Sequence, residues 1–168
     1  MKTTWVVVAD EAIARILQWN KDDKELEPVE ELTDPAAHAD GADLRRDAYG
    51  RRSGASLQAA NSNTSSRQSS PANVTSSAGQ AEQHQEAEEF ARRVAARLGE
   101  AFQQNRFEEL RIVAAPRFLG LLRKSLGTQV TNVVTDELNK DLIHMDNRDI
   151  SQRLFPERMA GRNNGAGQ

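Results

Sequence analysis

The chain has 168 residues, no cysteine, and a formal net charge of −3 from 22 basic and 25 acidic side chains. The missing cysteine excludes a disulfide framework, thiolate metal sites and a cysteine nucleophile. The weak negative charge excludes a uniformly cationic surface of the kind that coats itself with nucleic acid. The longest strongly apolar run, Trp5–Ala9, is too short for a signal-peptide core or a membrane span, so the expected location is cytoplasmic.

Trp5-Val6-Val7-Val8-Ala9 is continuous and β-favouring, which predicts a strand buried on both faces. Asp10-Glu11 reads as a turn, and Ala12–Trp19 as the hairpin partner. After a second polar turn at Asn20–Lys24, Glu25–Leu32 reads as a third strand, confined to a sheet edge by Pro28. Asp34–Gln80 is a long polar connection whose second half is rich in Ser, Asn, Gln, Thr and Ala; nine of the 28 residues from Ser53 to Gln80 are serine. It has too few apolar side chains to offset ordering entropy and is expected to be a disordered insert. Without it, 121 residues remain, enough to bury a core. The mean hydropathy of −0.70 therefore averages a globular domain with a polar insert.

Glu82–Phe102 is the clearest predicted helix. Ala87, Phe90, Ala91, Val94, Leu98, Ala101 and Phe102 recur at helical spacing. Glu88–Arg92 and Glu89–Arg93 are spaced for i,i+4 ion pairs. Glu109–Ala115 reads as a buried strand, and Pro116 stands where a helix could begin. In the helix expected at Arg117–Leu126, Phe118, Leu119, Leu121, Leu122 and Leu126 share one arc, and Arg117, Arg123 and Lys124 the other. A short helical turn and then a strand near Val133–Leu138 are expected next. Asp146 could cap a last helix, Asn147–Leu154, ended by Pro156; residues 158–168 are expected to be disordered. The fold class is α/β (α+β), a mixed sheet with flanking helices in a single domain over residues 1–157.

Charge is uneven along the chain. Residues 1–33 carry 4 basic and 8 acidic side chains, whereas Leu110–Thr135 holds Arg111, Arg117, Arg123 and Lys124 and no acid. An anionic partner is expected there. Arg45, Arg46, Arg51 and Arg52 flank Tyr49-Gly50. This segment reads either as a basic arm with one stacking side chain for RNA, or as a solvated loop balanced by Asp43 and Asp47. The histidines at 38, 84 and 144 lack metal-ligand spacing, so no metal and no cofactor is expected. No nucleophile elbow or phosphate-binding glycine motif occurs. Asp10, at the end of a buried strand, is read as a turn former rather than a catalytic acid.

Four segments in order carry a resemblance: Trp5–Asp10 with Ala14-Arg15-Ile16; Asp47-Ala48-Tyr49-Gly50-Arg51; Glu86–Arg92; and Ala115–Arg123. Lys140–His144 agrees with them. Together they resemble the bacterial host attachment protein family over Thr4–Leu154. The family name implies attachment to host cells. The family in turn is similar to the middle domain of archaeal and eukaryotic class-1 release factors, a mixed sheet of ribonuclease H-like kind. That implies a fold that faces the ribosome or tRNA. Release-factor middle domains carry a Gly-Gly-Gln tip on the loop before a long helix; here Ala78-Gly79-Gln80 precedes the expected helix, with alanine replacing the first glycine.

Three functions are expected, in this order. The first is a small RNA-, ribosome- or tRNA-associated binding protein, not itself an enzyme, with Arg45, Arg46, Tyr49, Arg51, Arg52, Arg117, Arg123 and Lys124 on the nucleic acid. The second is an adhesion or surface-interaction protein, as the family name says. The third is a peptidyl-tRNA hydrolase acting through Gly79 and Gln80.

Overall fold

The structure, a computed structural model, describes residues 2–36 and 72–156, the last with backbone alone over 72–77. One unit comprises Met1–Asp34 and Ala87–Gln168; a second comprises Pro35–Glu86. The first unit holds a five-stranded mixed sheet with helices on both faces.

Strand β1 is Thr4–Ala9, β2 Ile13–Asn20, β3 Glu25–Thr33, β4 Glu109–Ala114 and β5 Val134–Asn139. The sheet order is β3-β2-β1-β4-β5. Pairs β1–β2 and β2–β3 are antiparallel, and β1–β4 and β4–β5 are parallel, so β2 alone runs against the rest. Helix α1 is Ala72–Gln103, α2 Pro116–Ser125, α3 Thr128–Thr131 and α4 Asn147–Leu154.

Alternation along the strands sorts the core into two layers. Trp5, Val7 and Ala9 of β1, with Ile16, Leu110 and Ile112, pack with α1 and α2. Val6, Val8, Leu17, Trp19 and Val113 pack with Leu142, Ile143 and the α4 residues Ile150 and Leu154. Strand β1 is central and covered on both faces, which explains its unbroken apolar run: all six of its residues are buried. Phe90 of α1 meets Phe118 of α2 at 5.6 Å between ring centroids, and Trp19 stacks on Phe155 at 4.1 Å.

The turns follow local chemistry. The Asp10 carboxylate accepts the backbone N–H of Ala12 and of Ile13, each at 2.8 Å. Asn20 accepts from Asp22 N–H at 2.9 Å, and Lys24 takes φ 52° to close that turn. Pro28 lies on the edge strand, where proline is tolerated, and the register slips beside it between Ile16 and Leu17. Pro116 opens α2. Asp146 caps α4, accepting Asp149 N–H at 2.8 Å.

Two expectations are corrected. Helix α1 starts at Ala72, ten residues before Glu82, so the last residues of the segment expected to be a disordered insert, Ala72–Gln80, have helical backbone. Arg93 does not pair with Glu89; it donates to the buried carboxylate of Asp34 at 3.0 Å. The Glu88–Arg92 pair forms as expected, at 3.7 Å.

Candidate functional site

Helix α2 buries Phe118, Leu119, Leu121 and Leu122 and turns its basic arc outward. Arg117, Arg123 and Lys124 are exposed, as the helical spacing predicts. The fourth cation of the acid-free stretch, Arg111, is elsewhere. Strand parity directs it to the opposite face of the sheet, where it donates to the carbonyl of Leu154 and lies 4.3 Å from the Phe155 ring centroid. It is a structural residue and not part of the basic surface.

Tertiary structure brings acids to this stretch that its own sequence lacks. Glu11, from the β1–β2 turn, approaches Arg117 at 3.8 Å. Glu137, from β5, accepts from Arg123 Nε at 2.7 Å and from its Nη2. Hydrogen bonding by Glu137, with its charge second, raises the Arg123 pKa above its ordinary value. Lys124 alone of the three has no acid partner among the described residues.

Across from Lys124 lies α1. Arg93 is committed to Asp34, and Arg97 to Glu30 at 2.7 Å and Glu100 at 3.0 Å. Arg92 is 68% exposed, and its one ion-pair partner among the described residues is Glu88, at a distance too long for a hydrogen bond. Glu88, Arg92, Leu121, Lys124 and Ser125 line a cleft of about 170 Å³ between α1 and α2. The Ser125 hydroxyl donates to the Leu121 carbonyl at 3.1 Å, which leaves its oxygen free to accept. Charge bookkeeping along the chain did not single out Glu88, Arg92 or Ser125, because an i,i+4 pair reads as self-satisfied and a lone serine on an apolar arc carries no signal.

Arg45, Arg46, Tyr49, Arg51 and Arg52 lie outside the described residues. Gly79 and Gln80 lie within helix α1 rather than on a loop ahead of it. A Cβ added at Gly79 would meet nothing within 4 Å, and its φ is not in the positive range, so the helix makes no demand for glycine there. No group of three or more His, Asp or Glu side chains suited to a metal occurs among the described residues. No helix among them is long and apolar enough to cross a membrane.

A family model described as "Protein required for attachment to host cells" matches residues 5–154. No curated protein matches the chain.

Proposed function

The chain belongs to the family of proteins required for attachment to host cells, and from that premise we propose that it acts as a small RNA-binding protein of the ribosome or of tRNA, without catalysis of its own. The observation that carries the reading is the outward basic arc of α2, in which Lys124, without an acid partner among the described residues, faces Arg92 across a cleft. Such cations neutralise phosphates and release counterions, which is the sequence-independent part of RNA affinity. The mixed sheet with helices on both faces is also the architecture that the release-factor resemblance implies, a supporting analogy of fold. Attachment to host cells is then a downstream phenotype of an RNA-bound protein.

The test is co-sedimentation with ribosomes from native lysate at low salt. The variant combines Arg117→Glu, Lys124→Glu and Arg123→Gln; glutamine avoids setting a second carboxylate against Glu137. Circular dichroism checks that the variant is folded. Pelleting of the wild type and its loss in the variant support the reading. A wild type that never pellets, or a folded variant that pellets equally, overturns it. The family description itself favours a second reading, direct surface adhesion. Recovery of the protein by surface labelling of intact cells, with no ribosomal RNA in pull-downs, is the outcome that selects it.

A further inference from the structure

We propose that the cleft between α1 and α2 binds the phosphoribosyl group of a ribonucleotide, with Arg92 and Lys124 on the phosphate and Glu88 and Ser125 on the sugar hydroxyls. The proposal rests on the RNA reading only for where the ligand comes from.

Four features of the cleft converge. First, Arg92 and Lys124 reach it from different helices, and neither makes a hydrogen bond among the described residues. A guanidinium brings five N–H donors in a planar fork and an ammonium three, the equipment that recognises phosphate. Second, Glu88 sits with them, 38% exposed and 3.7 Å from Arg92. A carboxylate in that position repels a bare inorganic anion. Toward a ligand, its remaining acceptor lone pairs, alongside its existing contacts, suit hydroxyl donors. Third, Ser125 has already spent its hydroxyl proton on Leu121 and faces a ligand as an acceptor. Fourth, the volume of about 170 Å³ is below the roughly 300–1,000 Å³ of pockets that enclose whole drug-sized ligands. It suits a phosphate and a sugar and leaves the base outside, and the lining has no aromatic ring to stack one. Two cations, two hydroxyl acceptors and one apolar wall at Leu121 thus describe a site that reads the ribose-phosphate unit and ignores the base.

The probes are uridine 5′-monophosphate, its 2′-deoxy analogue and inorganic phosphate, titrated into the full chain with backbone amide shifts as the readout. Saturable shifts at Arg92, Leu121, Lys124 and Ser125 are expected, with uridine monophosphate tightest. Arg92→Ala and Lys124→Ala each weaken it roughly tenfold, the loss of one charge-assisted contact. Glu88→Gln strengthens inorganic phosphate and reduces the preference for ribose over deoxyribose, an effect that a loss of fold does not produce. No saturation, equal affinity for inorganic phosphate and the nucleotide, or unchanged binding in Arg92→Ala overturns the proposal. A 5′-phosphorylated oligoribonucleotide that outcompetes the mononucleotide, while its 5′-hydroxyl counterpart does not, identifies an RNA end as the source; the reverse identifies the free nucleotide. Ribosome pelleting that persists when nucleotide binding fails removes this site and leaves the RNA reading standing. Nucleotide binding without pelleting does the opposite.

Discussion

Arginine takes two roles here that the sequence cannot separate by residue type. Arg15 and Arg111 are inward clamps on the α4 face of the sheet. Arg15 Nη1 donates to the carbonyls of Ile143 at 3.0 Å and Met145 at 2.8 Å, and its Nη2 to Asn147. Arg15→Met strands those acceptors and is expected to cost about 1.5–3 kcal/mol in urea unfolding, with no effect on ribosome pelleting. Trp19 differs: its buried indole N–H has no hydrogen-bond partner among the described residues. Trp19→Phe therefore removes no hydrogen bond, and a loss below about 1.5 kcal/mol is expected in the same assay. The outward direction of Arg117, Arg123 and Lys124 was legible from helical spacing. The inward direction of Arg111 was implicit in strand alternation but hidden, because β4 is apolar on both sides. The partners Glu11 and Glu137 were not legible at all: each reaches α2 from another element, and no local pattern links them.

At the scale of elements, strands and the later helices were readable because each carries its own periodicity or punctuation. Pro116, Asp146 and Pro156 mark helix ends by chemistry that acts within a turn. The start of α1 was not readable, since its apolar stripe begins only at Ala87 and residues 78–86 ahead of it are exposed or half-buried. Its extent has a direct test. Gly79→Ala is expected to raise helix stability by about 0.5–1 kcal/mol, seen as increased ellipticity and a higher Tm. The same substitution would disable a hydrolytic tip, so unchanged behaviour on stalled ribosomes argues against that role. Asp146→Ala removes the α4 cap and is expected to cost about 1 kcal/mol by thermal unfolding.

For the whole molecule, a formal charge near zero conceals a surface on which cations and acids are paired across elements. The salt dependence of RNA binding counts those left to act. Three phosphate contacts, from Arg117, Arg123 and Lys124, give a slope of about −2 for log affinity against log salt on single-stranded RNA. A slope near −5 means that Arg45, Arg46, Arg51 and Arg52 bind as well, since seven contacts are then engaged. The architecture was legible as a mixed sheet with flanking helices, because three strands precede a helix and further strands alternate with helices. The order of the strands was not, because parallel pairing of β1 with β4 is a property of distant residues.

That pairing orders events during synthesis. Strand β1 leaves the ribosome well before its partner β4, which lies some hundred residues downstream, Thr4 opposite Glu109 and Ala9 opposite Ala114. Until β4 and α1 have emerged, the nascent β1–β2–β3 meander holds a strand that is apolar on both sides and covered on neither. Closure of so long a loop is slow and leaves the intermediate prone to self-association. The nascent chain is therefore expected to need a chaperone holding β1–β3, and to become protease-resistant only after β4 clears the exit tunnel.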